Sequence, residues 1–199
     1  MICKICDIEK LKQDFGVDNS LSNNKNISLL SKKFLIKILQ EQGLSFDFTI
    51  KYEENGKPFF INNKDVHFSI SHSKDYVAIA IDNQEIGVDI ESLRTNKKQI
   101  AQRFFTIKEN KYLNNYKDNV YDAAFTQLWT MKESFVKQSG EGIADNFNKI
   151  SIIPKKFSSE TMLTINNVSI YSKFFEKEKV FLSICCYSSS PLTDKVTLY

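Results

Sequence analysis

With 199 residues, 42% of them hydrophobic and 26% charged, the chain is long enough for one large domain or two small lobes around a real core. Lys and Arg number 27 against 24 Asp and Glu, and the resulting charge of +3 is too weak to argue for a nucleic-acid partner. No run of about 18 apolar residues occurs, so no transmembrane helix and no membrane partner are expected.

The opening "MICKICDIEK" lacks the apolar core and small-residue cleavage site of a signal peptide, so the expected address is cytoplasmic. Cys3 and Cys6 form C-x-x-C, but there is no second pair at zinc-finger spacing. Cys185 and Cys186 are adjacent in an apparent strand, where successive side chains point oppositely. Reduced thiols are the expectation for all four. The 16 phenylalanines predict a core that leans on aromatic burial.

In chain order, "SLLSKKFLIKILQEQG" (Ser28 to Gly43) reads as the first clear helix, capped by Ser28 and ended by Gly43. "FDFTIKYEE" (Phe46 to Glu54) alternates as a strand, and "NGKP" is a turn. Three strands follow: "VHFSIS", "YVAIAID" and "EIGVDIE", with the short links "HSKD" and "NQ" suiting tight antiparallel turns. The chain then turns helical in "NKKQIAQRFFT", where Ile100, Phe104 and Phe105 share a face, and in "IKENKYLNNY". The longest helix is "VYDAAFTQLWTMKESFVKQSG" (Val120 to Gly140), with an apolar stripe at Ala124, Leu128, Met131 and Phe135. Strands return in "KISIIP", "MLTI", "VSIYSKFF" and "KVFLSICCY", and "SSSPLTDKVTLY" reads as a loosely attached tail. This order predicts an α+β chain of two similar α/β lobes, residues 1–93 and 94–199, with a possible internal duplication and the active site between them.

The chemistry starts in "EIGVDIES". Asp89 and Glu91 are two apart on an apolar strand, which puts both carboxylates on one face roughly 7 Å apart. Uncompensated, that is costly. Exposure of the strand end, pairing with lysines, or a bound cation would each resolve it. In "WTMKESFVK", Glu133 and Lys137 are four apart and share a helix face, as a surface ion pair would or as a third carboxylate with a lysine one turn on. Three carboxylate ligands with waters and a substrate phosphate suit octahedral Mg²⁺, and softer zinc ligands are missing. "SISHS" offers Ser69, Ser71, His72 and Ser73 for phosphate contact or as satisfied turn residues. Ser71 and His72 point to opposite faces, which weakens a nucleophilic couple. Lys57, in "NGKP", is a solvated turn lysine or a phosphate contact.

Taken together, "GKPFF", "HFSISHS", "IGVDIE", "RFFTIKE" and "WTMKESFVKQSGEGI", in that order and at similar separations, resemble the 4′-phosphopantetheinyl transferases of the Sfp type. The resemblance covers about Ser28 to Phe147. It implies transfer of the phosphopantetheine arm of coenzyme A to a serine of an acyl or peptidyl carrier protein, releasing adenosine 3′,5′-bisphosphate. It implies magnesium ligands at Asp89, Glu91 and Glu133. Coenzyme-A contacts are implied at Lys57, Ser71, His72, Lys132 and Lys137, with His72 near the 3′-phosphate and Ser28 at a small hydroxyl position. Glu109, in "FFTIKE", matches another acidic position of the motif.

In that reading Lys137 stabilises or protonates the leaving phosphate, and Glu133 or Glu109 accepts the serine proton. Both lobes in one chain would complete the site within a monomer. The rival readings are a non-catalytic coenzyme-A or nucleotide-binding module and a metal-dependent phosphoesterase.

Overall fold

The computed structural model of the chain describes residues 1–17, 24–141, 147–165, 167–187 and 196–199. They form the expected α+β architecture. The first sheet has the order β10-β1-β5-β4, from β1 (Ile2–Asp7), β4 (His67–Ser73), β5 (Tyr76–Asp82) and β10 (Val196–Leu198). The second has the order β6-β9-β8-β7, from β6 (Ile86–Ser92), β7 (Glu160–Ile165), β8 (Val168–Phe175) and β9 (Val180–Tyr187). A small ribbon pairs β2 (Ile50–Tyr52) with β3 (Pro58–Phe60). Helices α1 (Ile8–Phe15) and α2 (Asn24–Glu41) belong to the first half, and α3 (Lys98–Phe104), α4 (Ile107–Leu113) and α5 (Asp118–Ser139) to the second.

Each sheet is apolar on both faces, so three cores form. Leu11, Phe34, Leu35 and Ile38 of α1 and α2 pack with Cys6, Phe68 and Ile79 of the first sheet. Ala124, Leu128, Met131 and Phe135 of α5, the predicted stripe, pack with Ile170 and Cys185 of the second. Between the sheets, Cys3, Ile5, Ala78 and Ala80 meet Val88, Ile90, Leu182 and Cys186. Cys185 and Cys186 therefore face different cores, as do Cys3 and Cys6, and all four are buried thiols outside any disulfide.

Several expectations are corrected. The second link, "NQ", is no hairpin: β5 pairs with β1 and β4, whereas β6 crosses to pair antiparallel with β9. A strand lying before residue 93 is thus hydrogen-bonded into the sheet of the C-terminal half. Ser28 does not cap the first helix, which begins at Asn24 and runs through it. Gly43 does end that helix, at φ 75°, where Leu44 N–H reaches Leu39 O at 3.1 Å. "FDFTIKYEE" is a strand only over Ile50–Tyr52, because the Asp47 carboxylate accepts from both the amide and the hydroxyl of Thr49 and turns the chain.

"KISIIP" joins no sheet. Its Ile150 carbonyl and Ile152 amide bond to side chains instead. The tail is also tied down at its end: β10 runs parallel to β1, and the Tyr199 ring packs 5.1 Å from Phe34. Residues 188–195 of that segment lie outside the described residues, as do Gly142 and Ile143 of the long motif. Strand β3 had no expectation, and neither did the adjacent pair β1 and α1. Asp7 joins them, its carboxylate accepting from Glu9 N–H and Lys10 N–H at 2.7 and 3.2 Å.

Gly87 sets how closely β6 lies on α5. A Cβ there would stand 1.9 Å from the Ser134 carbonyl oxygen and 2.5 Å from the Gln138 nitrogen. The absence of a side chain brings strand and helix together where both carry charged groups.

Candidate active site

One face of α5 is spaced at i, i+3, i+7 and i+11 by Thr126, Trp129, Glu133 and Lys137, which keeps all four along one side of the helix. Each meets β6 or the residues just after it. Thr126 Oγ1 accepts from Arg94 N–H at 3.0 Å, and the Arg94 guanidinium stacks 4.8 Å above the Trp129 ring. Lys137 Nζ donates to Asp89 Oδ1 at 2.7 Å and to the Ser71 hydroxyl at 3.1 Å. The Ser71 hydroxyl donates to the same Asp89 oxygen at 2.7 Å. Glu91 is held by Arg94 through one oxygen and reached by the Ser73 hydroxyl at 3.4 Å through the other.

The electrostatics are those of crowded carboxylates. Asp89 is 3% exposed, and its Oδ2 has no hydrogen-bond partner among the described residues. Burial, then the neighbouring Asp89 charge, pushes the Glu133 carboxyl up to about 7, against the pull of Lys137. Glu91 is likewise raised by burial, with Arg94 opposing.

Among the described residues no three acidic, histidine or cysteine side chains already have the spacing of a formed metal cage. The protein's own cations explain that: Lys137 takes one oxygen of Asp89, and Arg94 takes Glu91. The donor set still suits a hard cation. One buried carboxylate oxygen is orphaned, a second carboxylate is raised by burial and then by its neighbour's charge, and every donor is oxygen. Asp89, Glu133 and, once Arg94 yields, Glu91 are the residues able to hold such an ion.

A cleft of about 270 Å³ opens beside Lys137, lined also by Gly56, Lys57, Pro58, Phe68, Ser69 and Ile70. Lys57 is fixed at its rim, donating to the Gln138 carbonyl at 2.7 Å and to Glu85, whose other oxygen lies 3.1 Å from His67 Nδ1. A second hollow, of about 230 Å³, shares Pro58, Phe68 and Ile70 and continues to Ser28, Lys32, Tyr52 and His72. The two make one trough with an apolar middle of Pro58, Phe68 and Ile70, Lys57 and Lys137 at one end, and Lys32 and His72 at the other. Asp89, Glu91, Glu133, Lys137 and Ser71 are thus brought together, with Lys57, Ser28 and His72 along the trough.

Glu109 and Lys132 are placed elsewhere. Lys132 Nζ donates to both Glu109 oxygens, at 2.8 and 3.1 Å, and to the Ile150 carbonyl at 2.7 Å. Glu109 is fully buried, accepts from Ile152 N–H, and forms a capping box with Thr106 at the start of α4. Phe105 and Phe147 cover the ammonium at 5.8 and 5.2 Å. With both oxygens engaged and no exposed surface, Glu109 is not placed to take a substrate proton, and Lys132 is not placed to touch coenzyme A. Their pairing is a structural joint between α4, α5 and the segment after residue 147.

Arg94 borders the site without having been expected there, and Ser69 and Ser73, read as phosphate contacts or turn residues, instead accept from Val88 and Ser92 N–H. The serines carried a signal, since Ser69, Ser71 and Ser73 alternate on one strand face. Arg94 carried none, as its role depends on the fold of α5.

The chain matches the model of the 4′-phosphopantetheinyl transferase superfamily over residues 85–186, a stretch that holds Asp89, Glu91, Glu133 and Lys137. It is 34% identical over 171 residues to the 4′-phosphopantetheinyl transferase gsp of Aneurinibacillus migulanus, covering 83% of this chain and 68% of that protein. It is 32% identical over 154 residues to the 4′-phosphopantetheinyl transferase Sfp of Bacillus subtilis (strain 168), covering 76% and 68%. A further 4′-phosphopantetheinyl transferase of Bacillus subtilis is 37% identical over 114 residues, covering 57% of this chain and 49% of the relative. With its carboxylates and lysine inside the matched stretch, the chain belongs to the 4′-phosphopantetheinyl transferase superfamily and is a transferase enzyme.

Proposed function

We propose that the protein moves the 4′-phosphopantetheine arm of coenzyme A onto a serine of an apo acyl or peptidyl carrier protein, releasing adenosine 3′,5′-bisphosphate. The observation that carries this reading is the junction of Asp89, Glu133 and Lys137 beside a trough that leads from Lys57 to His72. Mg²⁺ held by Asp89, Glu91 and Glu133 would neutralise the diphosphate and raise the electrophilicity of its phosphorus.

The chain's own residues do the rest. Lys57 and Lys137 receive the phosphates, and His72 and Ser28 lie where the 3′-phosphate end would rest. The carrier supplies the nucleophile, so none is required from this chain. Glu133, held near neutrality by its surroundings, is suited to take the proton of the attacking serine. As the serine oxygen bonds to phosphorus, the bond to the departing adenosine bisphosphate breaks, and Lys137 meets the charge that develops there. Ser71 already spends its hydroxyl on Asp89 and Lys137, so it orients that lysine.

Such carriers are expected to be acidic, and docking is expected to weaken as salt rises. The described residues contain no helix long and apolar enough to cross a membrane. We read the protein as a cytoplasmic monomer.

The test is incubation with coenzyme A, Mg²⁺ and a panel of apo carriers, followed by mass spectrometry of the carrier. One phosphopantetheine added per carrier serine, with adenosine 3′,5′-bisphosphate as the second product, is the expected result. Coenzyme A recovered intact with every carrier would favour a binding module, and free phosphopantetheine without carrier would favour a phosphoesterase.

A further inference from the structure

Strand β4 ends the first sheet and β6 begins the second, and they lie side by side without backbone pairing. Two buried edges that face each other must satisfy their amides in some other way. Here the Val88, Ile90 and Ser92 N–H groups donate to the hydroxyls of Ser69, Ser71 and Ser73, at 3.0, 3.4 and 2.9 Å. The offset is constant at 19 residues, so the three bonds form a ladder with one register. All three serines are under 9% exposed.

A hydroxyl accepts and donates at once. Ser71 takes the Ile90 amide and gives its proton to the Asp89 carboxylate. Ser73 takes the Ser92 amide and lies 3.4 Å from Glu91. Each of these rungs therefore binds one backbone amide of β6 and the carboxylate of the residue before it.

We propose that Ser69 and Ser73 are positioning residues, the outer rungs of a hydroxyl ladder that fixes β6 against β4 and sets Asp89 and Glu91 opposite Lys137 and Glu133. A two-residue slip would keep the same faces but carry Asp89 away from Ser71 and Lys137. Ser71 alone, engaged by three groups, does not fix the register of a seven-residue strand. The kinetic part of this inference rests on the proposed transferase reaction; the structural part does not.

The test combines amide hydrogen exchange with steady-state kinetics on Ser69→Ala, Ser73→Ala and Ser73→Thr. Exchange at Val88 is expected to quicken about tenfold or more in S69A, and exchange at Ser92 likewise in S73A. Turnover is expected to fall about tenfold in both while KM for coenzyme A stays within about twofold. S73T, which keeps the hydroxyl, restores both readouts. Unchanged exchange at Val88 and Ser92 would overturn the ladder. Faster exchange with full turnover would overturn the positioning role. So would a uniform loss of protection that includes Ile184 in β9, because the effect would then be global. An unaltered chain that transfers nothing would count against the proposed reaction, and the exchange measurement would still decide whether the rungs exist.

Discussion

Asp89 was legible as a functional residue because a carboxylate in an apolar strand needs an explanation, and the fold supplies one in Lys137 and an unpartnered oxygen. Glu109 and Lys132 were misleading for the opposite reason. Their sequence context matches a functional motif, yet charges that find each other inside a core leave no trace in spacing. The two lysines of α5 therefore make contrasting predictions. Lys132→Met, which strands a fully buried carboxylate, is expected to cost about 3–5 kcal/mol in denaturant unfolding with little change in KM for coenzyme A. Lys137→Ala, which removes a partly exposed ammonium while Ser71 still donates to Asp89, is expected to cost about 1–3 kcal/mol and to lower kcat more than it raises KM. A stable K132M enzyme with weakened coenzyme-A binding would return that lysine to the trough.

Among the elements, α5 and the strands from β4 to β9 were readable because each is long or strongly patterned. Strands β1 and β10 were not. The first has cysteines on both faces and only one regular apolar pair, and the second is three residues whose identity as a strand comes from pairing with β1. The transfer of β6 to the other sheet was equally hidden, since a two-residue link favours a hairpin and only the tertiary fold overrides it. Gly87 marks that element-level choice. Its backbone is unremarkable in φ, but its Cβ position is filled by α5. Gly87→Ala should push the strand off the helix, costing about 1–3 kcal/mol or more and lowering turnover beyond what the stability loss explains. Thermal melting with kinetics measured well below the transition would separate the two effects, and a G87A enzyme of wild-type stability and turnover would contradict the packing described.

For the molecule as a whole, the site lies on the seam between two sheets, where carboxylates are gathered at some cost to folding. The sign of that cost follows from Glu133. Its folded carboxyl is raised to about 7, above the usual glutamate value, so the unfolded chain holds fewer protons than the folded one as pH rises. Stability from this group is fully present below the unfolded value of about 4.5 and is lost as pH climbs through about 7. The metal-free protein is therefore expected to melt a few degrees lower at about pH 8 than at about pH 5.5, with Glu133→Gln flattening that slope. Added Mg²⁺ should raise Tm at the higher pH and do little at the lower, because protonation competes for the same oxygens. A slope unchanged by E133Q would assign the pH dependence to other groups.

The most direct measurement is a calorimetric Mg²⁺ titration in the presence of coenzyme A, on the unaltered chain, Asp89→Asn and Glu133→Gln. The account predicts one saturable site in the unaltered protein and its loss, or at least about tenfold weakening, in each variant. Equal Mg²⁺ affinity in all three would contradict it.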